Sequence, residues 1–179
     1  MTDRHGGNIT KLAAAAGRPA GEILDFSANI NPLGPPEWLR PLISAQVSSL
    51  VHYPDPDCTD LVRAFAGRFG VAAEEVLMGN GETELLYLLP RVLGKGLAVI
   101  PVPAYADYAA AAKLAGLTVE RILLREERCF VPDLAEIEAA LRGDEIVFLG
   151  RPNNPTGSFS PADALRQLAC SRPETAFVV

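Results

Sequence analysis

One amide side chain, Asn154, follows the apolar run 146–149 in a turn that could present it to a ligand. Pro155 fixes its own backbone angle φ and favours an extended conformation at Asn154. Gly157 then closes an Asn-Pro-Thr-Gly turn, in which proline and glycine take positions that tight turns favour. Because ligands of open α/β sheets bind outside the carboxyl ends of the strands, Asn154 is expected to offer a rigid donor there.

A second turn, formed by Gly81, Glu82 and Thr83, could hold an anion. It lies between the apolar run 76–78 and a leucine-rich helical pattern. A helix that begins there offers unpaired N–H groups and a partial positive charge, and the Thr83 hydroxyl adds a donor. The alternative is an ordinary helix cap in which Thr83 and Glu84 satisfy the first turn. Neither a dinucleotide fingerprint nor a Walker loop is predicted, because the third glycine and a Gly-Lys-Ser/Thr sequence are absent.

An aromatic ring, Tyr105, lies just after the apolar run 97–100, on the first turn of an alanine-rich helical pattern. A flat ring at a strand exit could stack on a heteroaromatic ligand. The alternative is that Tyr105 or Tyr108 packs on the sheet as a core side chain. The three exits together would supply phosphate donors, a stacking ring and an amide.

The elements that must position these groups alternate between helical and strand patterns from about residue 41 onward. This alternation predicts an α/β fold with a mainly parallel sheet, helices on both faces and right-handed crossovers. The predicted strands cover 76–78, 97–100, 119–124, 145–149 and 176–179. The predicted helices cover 9–16, 61–69, 85–93 with a kink or early end at Pro90, 104–115 and 133–141, with one more beginning at 160–163.

The chain is expected to have two parts. Residues 1–40, rich in Gly, Pro and Asn, predict an extended N-terminal arm with a small-domain segment. Residues 41–179 predict the first, incomplete part of a large domain. The apolar strand pattern at 176–179 leads us to expect a truncated chain, because a last strand with no following element leaves one face uncovered.

Composition excludes several classes of partner. The 179 residues are 49% hydrophobic and carry a net charge of −6, which argues for a globular fold and against a nucleic-acid surface. No apolar run approaches the roughly 20 residues of a membrane-spanning helix, and the polar start gives no secretion signal. We therefore expect neither a nucleic acid nor a membrane as partner.

Three widely spaced cysteines, Cys58, Cys129 and Cys170, form no Cys-x-x-Cys pair. Neither a disulfide framework nor a zinc site is predicted from them, and no metal is expected. A reducing, cytoplasmic setting fits free thiols best.

The order and spacing of the three turns resemble those of fold-type-I enzymes that use pyridoxal 5′-phosphate (PLP). The resemblance covers essentially the whole chain and is greatest to the branch that holds histidinol-phosphate aminotransferase and threonine-phosphate decarboxylase. It implies that Gly81, Glu82 and Thr83 hold the cofactor phosphate. It also implies that Tyr105 covers the pyridine ring and that Asn154 bonds the phenolic oxygen of PLP.

A further element, His52–Pro56, resembles the Tyr-Pro-Asp-Pro sequence of that branch. The tyrosine of this sequence reaches the cofactor phosphate of the neighbouring subunit. The resemblance therefore implies that Tyr53 binds the cofactor and that the protein is a homodimer with shared sites. A surface turn built on Pro54 and Pro56 is the alternative.

Two segments resemble the decarboxylase more than the aminotransferase. The loop 25–34, with its Ser-Ala-Asn-Ile-Asn-Pro sequence, is similar to the substrate-side loop, which implies that Asn29 and Asn31 face the substrate. His5, in a His-Gly-Gly-Asn sequence, is similar to the histidine that approaches the substrate phosphate. A solvated terminal histidine is the alternative for His5.

The catalytic groups of the family are not expected in this chain. PLP chemistry needs a Schiff-base Lys and an Asp that faces the pyridinium nitrogen. Lys11, Lys95 and Lys113 all lie outside the Ser-x-x-Lys context of the family. We expect both groups beyond Val179, and expect the chain to be the inactive N-terminal half of an enzyme.

For the full-length parent, the resemblance implies a PLP-dependent lyase. Its reaction would be decarboxylation of L-threonine O-3-phosphate, a phosphorylated amino acid, to (R)-1-amino-2-propanol O-2-phosphate in cobalamin biosynthesis. Histidinol-phosphate aminotransferase, or a related class I/II aminotransferase, is the alternative enzyme. A non-catalytic module of the same fold is an alternative of another class.

Overall fold

The computed structural model describes residues 6–179, which belong to two compact units, Met1–Val76 and Leu77–Val179. The first unit contains the helices α1 (Ile9–Ala16), α2 (Leu39–Gln46) and α3 (Thr59–Phe69). The predicted arm helix and the predicted helix before Gly70 are confirmed. The boundary expected at residue 40 falls inside this unit, and the assignment to small and large domains stays a prediction.

The second unit alternates four helices of at least seven residues with four strands. Its helices are α4 (Glu82–Leu93), α5 (Ala106–Leu114), α6 (Leu134–Ala140) and α7 (Ala162–Ser171). Its strands are β1 (Leu97–Val102), β2 (Thr118–Leu123), β3 (Glu145–Phe148) and β4 (Ala176–Val178).

The four strands form one sheet in the order β2-β1-β3-β4, and every neighbouring pair is parallel. The chain therefore leaves β1 toward one edge to form β2, and returns past β1 to form β3 and β4. This reversal makes the gap between β1 and β3 the topological switch point of the sheet, where ligands of open α/β sheets bind. The predicted parallel α/β sheet is confirmed.

Helices cover both faces of the sheet, as the strand pattern of β3 requires. Ile146 and Phe148 pack with side chains of α4 and α5, whereas Val147 and Leu149 pack with side chains of α6 and α7. Successive strand residues point to opposite faces, so a strand buried on both sides is apolar throughout. The continuous apolar run 146–149 thus follows from the central place of β3 in the sheet.

The predicted strand at Val76–Met78 is wrong. Residues 76–79 have no strand conformation, and the side chain of Leu77 is 73% exposed. A strand requires a neighbouring backbone to complete its hydrogen bonds. None of the four strands in the described part of the chain pairs with this run.

Two prolines interrupt their elements less than expected. Helix α4 continues through Pro90 to Leu93, so the early end is wrong. The Pro90 side chain is fully buried, and this burial offsets the one backbone bond that proline cannot donate. Strand β1 likewise continues past Ile100 to Val102. Its pairing with β3 ends at Val99, so Pro101 lies where the strand has only one neighbour and a missing N–H costs little.

No helix between residues 6 and 179 is long and apolar enough to cross a membrane. The longest, α4, has 12 residues.

A buried carboxylate fastens the N-terminal ends of the strands. Glu145, at the start of β3, is 1% exposed and accepts hydrogen bonds from the N–H groups of Arg142 and Gly143. It also accepts one of 3.1 Å from the Thr175 hydroxyl, just before β4. Burial raises the pKa of Glu145, but the hydrogen bonds lower it more, so its pKa lies below the usual value.

We expect Glu145→Gln to lower the free energy of unfolding by about 2 kcal/mol at neutral pH, because hydrogen bonds to a charged acceptor are lost inside the protein. A depressed pKa stabilises the fold above the unfolded value of about 4.3, and this contribution is lost as pH falls through the folded pKa. The difference in unfolding free energy between the variant and the unaltered protein should therefore become smaller in acid. Urea unfolding at several pH values measures it.

The control is Glu138→Gln, which removes a half-exposed ion pair of 3.2 Å with Arg172. This substitution should cost less than about 1 kcal/mol. Equal losses in the two variants, or a Glu145 deficit that is constant with pH, would contradict the prediction.

Candidate functional site

A cleft of about 500 Å³ opens at the switch point between β1 and β3. It lies at the carboxyl ends of the strands, in the second unit. Its lining combines backbone, aromatic and amide groups. The lining residues are Glu82, Tyr105, Tyr108, Gly150, Arg151, Pro152, Asn154 and Val179.

One wall of the cleft is the start of α4. Gly81 precedes the helix at φ 87°, a conformation that favours glycine, and it has no side chain to cap the first turn. Glu84 does not fill that role, because its carboxylate accepts from the N–H of Asn80, which lies before the helix. Within residues 6–179, no hydrogen bond uses the N–H groups of Glu82 and Thr83. These donors point to an anion site more than to an ordinary cap.

The two tyrosines of the Tyr-Ala-Asp-Tyr sequence have different environments. Tyr108 is 8% exposed and stacks on Phe148 with ring centroids 5.3 Å apart. It therefore packs on the sheet as a core side chain, which was the alternative to ligand stacking. Tyr105 caps α5, is only partly buried and lines the cleft. Its ring meets Tyr108 edge-on, with centroids 5.7 Å apart. Tyr105 is thus the ring that a ligand can reach.

The two asparagines of the Asn-Asn-Pro-Thr-Gly turn also have different environments. Asn154 is exposed and lines the cleft. Asn153 is 7% exposed, and its amide donates to the Pro103 carbonyl at 3.0 Å and to the Thr156 hydroxyl at 2.8 Å. The Gly157 N–H closes the turn on the Asn153 carbonyl at 2.7 Å. Asn153 therefore fixes the exit of β3 to the exit of β1.

The remaining predicted site residues do not lie in the second unit. Asn31 uses its side chain locally, because its oxygen accepts from the N–H of Leu33 at 3.0 Å. Asn29 is exposed and Tyr53 is fully exposed. All three belong to the first unit. His5 lies outside the described residues, so its predicted role has no structural test.

The two lysines of the second unit lie away from the cleft. Lys95 precedes β1, and its ammonium donates to the Glu174 carbonyl at 2.7 Å, at the N-terminal ends of the strands. Lys113 lies in the last turn of α5. Neither lines the cleft.

Sequence reasoning missed three residues around this cleft. Asn153 was not predicted, although it is adjacent to Asn154 in the same turn. Asp107 is 3% exposed. It lies next to the core residue Tyr108 in the alanine-rich helix α5, and this position could have indicated that Asp107 is buried. Arg151 packs its guanidinium 3.9 Å from the Phe159 ring centroid and donates to a backbone carbonyl, and no sequence pattern signals that packing.

We expect Asn153→Ala to lower the free energy of unfolding by about 1–3 kcal/mol, because it removes two hydrogen bonds that a buried side chain donates, to the Pro103 carbonyl and to the Thr156 hydroxyl. Asn154→Ala, one residue away in the same turn, should change it by less than about 0.5 kcal/mol because that side chain is exposed. Urea unfolding of the two variants measures the difference. Equal losses of unfolding free energy in the two variants would refute the structural role of Asn153.

The comparisons with known proteins agree with this geometry. The model of the family described as aminotransferase class I and II matches residues 21–179. The adenosylcobalamin biosynthesis bifunctional protein CobDQ of Leptospira interrogans is 43% identical over 157 residues, which cover 86% of this chain and 18% of that protein. Threonine-phosphate decarboxylase of Salmonella typhimurium is 36% identical over 165 residues, which cover 92% of this chain and 45% of that protein.

A solved structure shows the same fold. The histidinol-phosphate aminotransferase of Sinorhizobium meliloti in complex with pyridoxal-5'-phosphate matches with a TM-score of 0.79 and 22% identity, over 99% of this chain and 49% of that chain. This chain spans less than half the length of each of these relatives. The predicted fold and the predicted family cofactor, PLP, are confirmed, and the chain belongs to the aminotransferase class I and II family.

Proposed function

We propose that this chain supplies the phosphate-binding and ring-stacking side of the PLP site of a threonine-phosphate decarboxylase. The reaction of the full-length protein is conversion of L-threonine O-3-phosphate to (R)-1-amino-2-propanol O-2-phosphate and CO2 in cobalamin biosynthesis. Support comes from the names of the relatives CobDQ and threonine-phosphate decarboxylase and from the donor set of the cleft. We further propose a cytoplasmic homodimer.

The donor set of the cleft fits PLP. The cofactor carries a phosphate, a flat pyridine ring and a phenolic oxygen. The start of α4 offers N–H donors that have no acceptor among residues 6–179, Tyr105 offers an aromatic face, and Asn154 offers an amide donor at the same cleft. When bound, PLP supplies an electron sink for the charge left on Cα as a carboxylate departs as CO2.

Each of these residues has a task that its position supports. The N–H groups of Glu82 and Thr83 bind the cofactor phosphate, and Gly81 leaves the backbone open to it. The Tyr105 ring excludes water from one face of the pyridine. The Asn154 amide would donate to the phenolic oxygen of the cofactor.

One hydrogen bond of the first unit bears on the proposed substrate side. The two segments that resemble the decarboxylase meet there, because the N–H of Gly7 donates to the Ser27 hydroxyl at 2.8 Å. Ser27 in turn bonds the carboxylate of Asp25. A Cβ added to Gly6 would lie 1.8 Å from the Ser27 carbonyl oxygen, so only glycine fits this approach.

The substrate and the partner subunit complete the proposal. His5, which directly precedes Gly6, contacts the substrate phosphate, and Asn29 and Asn31 line the substrate side. Tyr53, whose ring is fully exposed in the single chain, reaches the cofactor phosphate of the second subunit. We assign neither the Schiff-base Lys nor the Asp facing the pyridinium nitrogen to a residue of this chain.

The first experiment uses the full-length protein, purified with PLP and mixed with L-threonine O-3-phosphate in the absence of an amino acceptor. We expect CO2 release with the absorbance of bound PLP retained. Loss of that absorbance without CO2, as the amino group passes to the cofactor, would instead establish an aminotransferase. A protein that binds PLP with neither change would be the non-catalytic module.

The second experiment tests the contact of Gly6 with Ser27. We expect Gly6→Ala to raise the KM for L-threonine O-3-phosphate about tenfold, which corresponds to about 1.4 kcal/mol of lost substrate binding. Affinity for PLP should remain unchanged. The matched control is Gly21→Ala, because Gly21 belongs to the same unit and an added Cβ meets no atom within 4 Å. An unchanged KM in the Gly6 variant would refute the role of this contact in substrate binding.

A further inference from the structure

The lining of the cleft contains one basic side chain, and the proposed function gives it no task. Arg151 lies between the end of β3 and the two asparagines of the turn, and it is the only lysine or arginine among the lining residues. Glu82 is the only acid among them. A guanidinium is always charged in proteins, and it offers five N–H donors in a planar fork and no acceptor. The contacts of Arg151 within the chain therefore show which of its donors remain for a ligand.

Two contacts hold the guanidinium of Arg151 in place. Its Nε donates to the carbonyl of Ser160 at 2.8 Å, and Ser160 is buried. One face of the group covers the Phe159 ring, with Cζ 3.9 Å from the ring centroid, a distance at which a cation and an aromatic ring attract each other. A partly buried arginine that is held at its Nε and on one face has few orientations left, so it loses little entropy when a ligand binds it.

The outer nitrogens of Arg151 have no partner in the part of the chain that the structure describes. Within residues 6–179, neither Nη1 nor Nη2 of Arg151 donates to an acceptor, and no carboxylate forms an ion pair with it. Other arginines of the second unit do form ion pairs with carboxylates, namely Arg125, Arg128, Arg142, Arg166 and Arg172. Arg151 thus keeps four N–H donors for a group that these residues do not supply.

The charges around the cleft show which ligand needs this cation. The chain carries a net charge of −6, and Glu82 adds a negative charge to the lining of the cleft. An anionic ligand is repelled by such a surface unless a local cation compensates. In the proposed function the phosphate of PLP has its donors at the start of α4, and its phenolic oxygen has Asn154. Arg151 is therefore left for the second molecule in the cleft, the substrate.

We propose that Arg151 binds one oxyanion of the substrate, either its carboxylate or its phosphate, through the two outer nitrogens. Both groups match the fork of an arginine, which can form two parallel N–H···O bonds with them. This inference rests on the proposed function insofar as the substrate is a phosphorylated amino acid. Because Arg151 and Asn154 belong to one turn, the donor to the substrate and the donor to the cofactor keep a fixed spacing.

Two competing explanations require controls. Arg151 could serve only to hold the turn 151–160 through Phe159 and Ser160, or it could act only through its charge at a distance. Arg166 is the matched control for charge, because it lies on α7 and shares with Arg151 a groove beside the end of β4 but does not line the cleft. Arg151→Lys keeps the charge and removes the fork, whereas Arg151→Ala removes both.

The experiment uses the full-length protein loaded with PLP and follows the change in cofactor absorbance as L-threonine O-3-phosphate is added. We expect Arg151→Ala to weaken substrate binding by about ten- to hundredfold, because hydrogen bonds between two charged groups are lost. Its affinity for PLP should remain unchanged. Arg151→Lys should recover part of the loss, and Arg166→Ala should bind substrate as the unaltered protein does.

Unchanged substrate affinity in Arg151→Ala would overturn the inference. Equal losses in Arg151→Ala and Arg166→Ala would overturn it as well, because charge at a distance would then explain both. If Arg151→Ala does not bind PLP, Arg151→Gln takes its place, since glutamine keeps part of the stem and removes the charge. The same loss of substrate binding is expected in that variant.

Two analogues identify which oxyanion Arg151 binds. O-Phosphoethanolamine lacks the carboxylate of the substrate, and L-threonine lacks the phosphate. If Arg151 binds the phosphate, Arg151→Ala weakens binding of O-phosphoethanolamine and leaves L-threonine unchanged; if it binds the carboxylate, the reverse holds. An Arg151→Ala variant that binds both analogues as the unaltered protein does would refute the inference. A protein that releases no CO2 from L-threonine O-3-phosphate would refute the proposed function, while the two analogues would still decide the role of Arg151.

Discussion

The parallel pairing of β1 with β3 is the interaction on which the rest of this site depends. It brings two distant strand exits side by side, although about fifty residues separate them in the chain, and the Asn153 amide spans them at 3.0 Å to Pro103. The chain leaves the two strands in opposite directions, so no loop fills the gap between them. Tyr105 and Asn154 face one cleft for this reason alone.

The start of α4 adds what the strands cannot supply. Strand exits present side chains, whereas a helix start presents a row of backbone donors. Gly81 exposes that row because it lacks a side chain. The Tyr87 hydroxyl of α4 donates to the buried Asp107 side chain of α5 at 3.4 Å, and this bond joins the two helices. The site is built from the contact between α4 and α5 as much as from the sheet.

Most of the fold follows from local patterns in the sequence. The apolar runs of β1, β3 and β4 and the glycine stops are short-range signals, and they located most of the elements to within a few residues. Val76–Met78 failed because strand formation depends on a partner backbone that a local pattern cannot show. Asn153 and Asp107 were missed for a related reason: their hydrogen-bond partners are Pro103 and Tyr87, which only the folded chain brings to them.

The network around Glu145 lies at the opposite ends of the same strands from the cleft. The sheet is thus anchored at one end and carries the cleft at the other, with the buried strands between them. Substitutions that change the ligand can accumulate at the strand exits while the anchoring end stays constant. Because the two ends are separate, substitutions at the cleft need not lower the stability of the fold. Relatives can therefore diverge in chemistry and still inherit the same folded framework.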